Sequence, residues 1–153
     1  MTIPELSRLF VVSAVTVGAL GILAGAAHAT PAEGDVVRTE LANGTTDAPI
    51  SIVTNGEPSA FTVQGLLLKP GSSSGWHTHP GPEYSVINSG TVLVQTITDC
   101  VPNQVGAGGV VFIPAGVAHR VANVSDHDAE AVATYTLPVG LAVRDDAPAA
   151  CVG

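Results

Sequence analysis

Between residues 50 and 140 the chain is cut into short apolar runs by turn residues, and this punctuation decides its fold class. The runs are ISIV, closed by Asn55 and Gly56; FTVQGLLL, closed by Pro70 and Gly71; YSVINSG; TVLVQTIT; GGVVFIPAG; HRVANVS; and AVATYTLPVG. Runs this short cannot carry the i, i+3, i+4 stripe of a packed helix, whereas their Val, Ile and Thr content suits strands. The expectation is an all-β sandwich or small barrel over residues 50–140, with one hydrophobic core. Residues 30–49, polar and mixed, read as an N-terminal arm, and residues 141–153, rich in Pro, Ala and charge, as a C-terminal tail that would fray unless tied down.

The first 29 residues are different in kind. Arg8 precedes an uncharged apolar run over residues 9–27, and Ala27, His28 and Ala29 form a small-x-small site before a polar stretch. That order predicts a secretory signal peptide over residues 1–29, with Thr30 the first mature residue and an extracytoplasmic destination. The alternative is an uncleaved segment that tethers the chain to a membrane, since the run is near the ~20 residues a span needs. Its glycines make it a poor anchor, so no stable membrane association is expected once the segment is cleaved.

Thirteen acidic residues against five basic ones give a net charge of −8, with no basic cluster. Such a surface repels a phosphate backbone, so nucleic acid is excluded as a partner. The only two cysteines, Cys100 and Cys151, are an even pair in a chain read as exported, and are expected to form a disulfide tying the tail to the middle of the domain.

The stretch GSSSGWHTHPGPEYSVINSG, residues 71–90, concentrates the chemistry. His77 and His79 are two residues apart, a spacing that puts both rings on one face of an extended segment but splays them on a helix. Pro80, Gly81 and Pro82 then break the strand, and Glu83 opens a new one, where its carboxylate can reach the same point. His119 follows a second turn, Pro114, Ala115 and Gly116, and is the candidate fourth ligand. Three imidazoles and one carboxylate suit a divalent transition metal: Mn, Fe, Ni, Cu or Zn.

In this arrangement the chain resembles the cupin superfamily. Its first motif, G(X)5HXH(X)3-4E(X)6G, is met by Gly71, His77, His79, Glu83 and Gly90. The second, G(X)5PXG(X)2H(X)3N, is met by Gly108, Pro114, Gly116, His119 and Asn123, with residues 91–107 between the two. The resemblance implies a small jelly-roll barrel of two antiparallel sheets with the metal held inside by His77, His79, Glu83 and His119. It also implies a menu of metal-dependent reactions rather than one: oxygenase, oxidase, decarboxylase, isomerase or superoxide removal.

Period 2 from Glu83 places Ser85 and Ile87 on the metal-facing side, and Val121 shares the face of His119, giving a small, largely apolar wall suited to a small substrate. Gln64, Gln95 and Tyr135 are the candidates for an acid, base or orienting group, each balanced by an ordinary strand-surface role. Trp76 either rims the pocket or simply packs. His127, in SDHDAE, reads as a solvated loop residue, and Ser72, Ser73 and Ser74 lack a free histidine to make a hydrolase. Two functions stay open at this point. One is metal-dependent catalysis on a small oxygen-bearing molecule; the other is non-catalytic binding of a metal or small ligand. The strand TVLV, read as exposed, permits a homodimer.

Overall fold

The computed structural model describes residues 39–47, 50–54 and 56–151. The signal segment 1–29 and residues 30–38 of the arm lie outside the described residues.

The described chain is all-β. Its strands are β1 (Ser59–Leu68), β2 (His77–Thr78), β3 (Glu83–Ser89), β4 (Thr91–Thr96), β5 (Asp99–Gly106), β6 (Val110–Ile113), β7 (His119–Ala122), β8 (Ala129–Pro138) and β9 (Asp145–Asp146). They form two antiparallel sheets, a four-stranded one in the order β1-β8-β3-β6 and a five-stranded one in the order β5-β4-β7-β2-β9. Among the described residues no helix is long and apolar enough to cross a membrane.

Alternation builds the core. Glu83, Ser85 and Ile87 of β3 are buried while Tyr84 and Val86 are less so, and Val92 and Val94 of β4 point inward with Val111 and Ile113 of β6. The inward row of β8 is Ala129, Ala131, Ala133, Tyr135 and Leu137. Three alanines in that row fill little volume, so the barrel closes without filling its interior.

The motif glycines explain themselves locally. Gly71, Gly90, Gly108 and Gly116 all have φ between 71° and 80°, a left-handed conformation that disfavours any residue with a Cβ. Gly90 turns β3 into β4, and a Cβ there would also sit 2.5 Å from the Asp128 carbonyl oxygen. Asn123 joins the two motifs: its carbonyl accepts from the Gly71 N–H and its own N–H donates to the Ser72 carbonyl. Its side chain, fully buried, donates to the carbonyls of Leu68 and His127 and accepts from the N–H and hydroxyl of Ser125.

Three local expectations need correction, and one strand had no signal in the sequence. ISIV is exposed and outside any strand, because its apolar side chains find no partner sheet. β5 carries no apolar pattern, being exposed along most of its length, and its pairing with β4 rather than burial makes it a strand. In TVLV, Val92 and Val94 are core residues, so this strand offers no exposed apolar face; the exposed apolar row is instead Phe61, Val63 and Leu67 on β1. The segment after residue 140 is more than a tail: β9 pairs with β2, placing Asp146 opposite His77 and Asp145 opposite Thr78.

Candidate metal centre

The site assembles across the two sheets. His77 in β2 and His119 in β7 are direct cross-strand partners, so their side chains share one face of the five-stranded sheet. His79 follows β2 on that face, and Glu83 enters from the opposite sheet at the first residue of β3. The Pro80, Gly81 and Pro82 turn carries the chain from one sheet to the other. Its geometry is pinned by the Gly116 N–H, which donates to the His79 carbonyl, and by the Thr136 N–H, which donates to the Pro82 carbonyl. The four side chains each bring one ligand atom into a group spanning no more than 4.8 Å, and all four residues are buried.

Each imidazole is oriented by an outer hydrogen bond. Nδ1 of His77 contacts the Gly75 carbonyl at 3.0 Å, Nδ1 of His119 the Val117 carbonyl at 3.0 Å, and Nδ1 of His79 the Val143 carbonyl. A carbonyl only accepts, so each Nδ1 carries a proton, and in the uncharged form of such a ring Nε2 presents a lone pair. Those of His79 and His119 lie 2.9 and 3.4 Å from Glu83 Oε2. Neither has a hydrogen-bond partner of acceptable geometry. Buried lone pairs facing a buried carboxylate oxygen are unfavourable unless a cation or a proton lies between them, which is the situation a metal resolves. The residues therefore fit a divalent metal.

Electrostatics point the same way. Burial alone would raise the Glu83 carboxyl; a positive charge at the Nε2 atoms of His119 and His79, whether a ring proton or a cation, outweighs it together with the Ser85 hydroxyl, which donates to Oε1 at 2.6 Å. The group is held well below the usual carboxylate range. His77 is lowered to about 4, chiefly by burial, with the Gly75 carbonyl opposing and the neighbouring His119 and His79 rings, when protonated, and Arg144 adding to it. It is a neutral donor at neutral pH. Tyr135, the register partner of Glu83, packs its ring 4.7 Å from that of His79. Burial first, then the Glu83 charge, pushes its phenol up and keeps it protonated.

A cavity of about 300 Å³ opens beside the cluster, with His77, Glu83 and His119 in its wall. Ser85, Ile87 and Val121 line it, joined by Leu66, Leu68 and Ala131, which sequence reasoning did not single out. Ser72, Ser73 and Ser74 also border it, as wall rather than as nucleophiles. Of the acid–base candidates only Tyr135 reaches the site: Gln64 is exposed, and the Gln95 amide donates to the Cys100 carbonyl. Trp76 is half-buried outside the lining, and His127 is solvent-exposed. Cys100 and Cys151 are bonded, with Cα atoms 5.6 Å apart.

Comparison with known proteins agrees with this architecture. Residues 66–135 match the family model of the cupin domain. No curated protein sequence matches the chain. Among solved structures, an oxalate decarboxylase from Lactobacillus farciminis, crystallised as a formate complex, is 19% identical with a TM-score of 0.51, over 56% of this chain and 26% of that one. A DMSP lyase from Ruegeria pomeroyi is 22% identical with a TM-score of 0.49, over 54% and 41% of the two chains. A predicted oxalate decarboxylase from Thermotoga maritima is 30% identical with a TM-score of 0.45, over 49% and 64%. Each match spans less than two-thirds of the other protein. With both motifs seated on two antiparallel sheets and a matching family model, residues 66–135 form a cupin domain.

Proposed function

We propose that His77, His79, Glu83 and His119 hold one divalent transition metal and that the chain is an exported enzyme using it on a small oxygen-bearing molecule. One observation carries this reading: a ring nitrogen from each of three imidazoles and a carboxylate oxygen converge within 4.8 Å beside a cavity of about 300 Å³. When bound, the metal would act as a Lewis acid toward an oxygen of the substrate or as a site for O₂. The chain's own residues do the rest. The Gly75, Val117 and Val143 carbonyls fix the ring tautomers, Ser85 orients Glu83, and the aliphatic wall excludes water from the substrate's apolar part.

Among the described residues no lysine or arginine lines the cavity, so nothing in that wall would neutralise a second anionic group. This favours a substrate with one metal-binding oxygen function and an apolar body over a small dianion. Export rests on the signal-like residues 1–29 and is supported by the disulfide, which persists in oxidising compartments.

A second reading, non-catalytic capture of a metal or small ligand, is favoured by the lining itself: apart from the ligand residues its polar side chains are serines. Metal analysis of protein purified from a secreted fraction without chelator or His-tag, beside His77→Ala/His79→Ala, tests both. About one equivalent of Mn or Fe, absent from the double variant, supports the enzyme. Tightly held Zn or Cu with no turnover supports capture, and no metal in either protein removes the site.

A further inference from the structure

The three imidazoles differ in where their outer hydrogen bond comes from. His77 and His119 each use a carbonyl two residues earlier in their own segments. His79 uses Val143, 64 residues away. Val143 opens a C-terminal strap, residues 143–151, that runs along the ligand strands. β9 pairs with β2 at His77 and Thr78, and the Ala147 N–H donates to the Trp76 carbonyl at 3.0 Å. The Arg144 guanidinium donates to the Ser74 carbonyl at 2.7 Å and is braced by Asp146. At the far end Cys151 is bonded to Cys100 and lies beside the carbonyl of Thr96, the register partner of His119.

Apart from the disulfide, the strap is held by a two-residue strand, a few hydrogen bonds and the packing of Val143 against the cluster of Ala133, Tyr135 and Leu137, and most of its residues are exposed. Short exposed segments of this kind open at little free-energy cost. Among the described residues the disulfide is the one covalent tie that holds the far end of the strap, and with it the Val143 carbonyl, against the ligand strands. Cys100 is exposed and Cys151 half-buried, so the bond is open to a reductant.

We propose that the strap is a positioning element of the metal centre and that the Cys100–Cys151 disulfide makes metal retention redox-dependent. The inference rests on the metal reading above. A dithiol in the surroundings would donate two electrons and two protons: the S–S bond breaks, Cys100 and Cys151 become thiols, and the dithiol closes to its own disulfide. The strap then detaches and His79 loses the acceptor that fixes its tautomer. Loss of such an outer partner lowers metal affinity by about 10–100-fold in comparable sites.

The test uses the full chain, labelled with ¹⁵N-histidine and loaded with Zn²⁺. Reduction is by a trialkylphosphine, which does not compete strongly for the metal; it takes an oxygen from water to become the oxide, and the two protons go to the thiols. Two quantities are read: the rate of Zn²⁺ release to a chromophoric chelator, and the downfield Nδ1–H signals of the three imidazoles. The expected result is release about 10–100-fold faster, with the His79 signal lost while those of His77 and His119 persist. Cys100→Ser/Cys151→Ser should behave like the reduced protein, without thiols to bind zinc; should it not fold, wild type reduced after folding carries the same test. Unchanged release with free thiols demonstrated overturns the inference, as does simultaneous loss of all three signals, which would mean general unfolding. Failure of the oxidised protein to bind Zn²⁺ at all overturns the metal reading instead.

Discussion

Replacing Glu83 with glutamine should stabilise the metal-free protein while weakening its hold on metal. In the wild type, Glu83 Oε2 faces Nε2 of His79 at 2.9 Å and of His119 at 3.4 Å. With Nδ1 of each ring committed to a carbonyl, an uncharged imidazole offers only a lone pair there. Glutamine keeps an oxygen for the Ser85 hydroxyl, 2.6 Å from Oε1, and places an N–H₂ group where Oε2 stood. Acceptor–acceptor contacts become hydrogen bonds, and a buried charge disappears. At about 1 kcal/mol per net hydrogen bond, the 2.9 Å contact fully made and the 3.4 Å one partly, the gain is about 1–2 kcal/mol. For a domain of this size that is a rise of roughly 4–8 °C in Tm.

Metal inverts the order. A ligand at 1,000 times its Kd stabilises the wild type by about 4 kcal/mol, and the glutamine variant, lacking the anionic ligand, should gain little. The assay is thermal unfolding followed by circular dichroism at pH 8.5, above the ordinary imidazole range, once with chelator and once with excess Zn²⁺. The variant should melt higher with chelator and lower with zinc. A variant that melts below wild type in chelator at pH 8.5 would refute the reasoning, since it would mean that a proton, held between ring and carboxylate, balances the cluster without any metal.

Other expectations follow from single observations. Because burial lowers His77 from 6.5 to about 4, the folded protein binds fewer protons than the unfolded chain between those values. Its stabilisation is present above pH 6.5 and is lost as pH falls toward 4, by up to about 1.4 kcal/mol per pH unit and at most about 3 kcal/mol, less where the open cavity screens the charge. Urea titration of chelator-treated protein at pH 7 and pH 4.5 measures this, and His77→Ala should flatten part of the slope. Gly81→Ala should cost about 3 kcal/mol or more: a Cβ there overlaps the Thr136 carbonyl oxygen and lies 2.9 Å from its carbon, forcing apart the Pro82 and Thr136 pairing. Gly65→Ala, with nothing within 4 Å and no positive φ, is the near-neutral control in the same denaturation series. Asn123→Ala should cost about 2–4 kcal/mol, because it takes their side-chain partner from the Leu68 carbonyl and the Ser125 N–H and leaves the His127 carbonyl and the Ser125 hydroxyl only each other.

How much of this was legible in the sequence depends on whether a feature is local. The ligand spacing is local: His77 and His79 must share a face if extended, and period 2 carries Glu83 to Ser85 and Ile87. The buried apolar strands were legible because burial requires alternating apolar residues. β5 was not, since an exposed strand is held by backbone hydrogen bonds that any residue can make. ISIV misled for the converse reason, having the composition of a strand with no sheet edge to join. The exposure of TVLV was misjudged because composition does not say which side of a strand is covered.

The sequence by itself determined the all-β class, the two cupin motifs and the four groups that converge, because these follow from residue identity and from spacings of a few positions. Only the tertiary structure decided that β9 lies against the ligand strand, and that the Val143 carbonyl completes His79. It also decided that a row of alanines on β8 leaves a cavity beside the cluster. A backbone carbonyl carries no side-chain signature, and the pairing that delivers it over 64 residues depends on register and chain path, which the packing of the whole barrel sets.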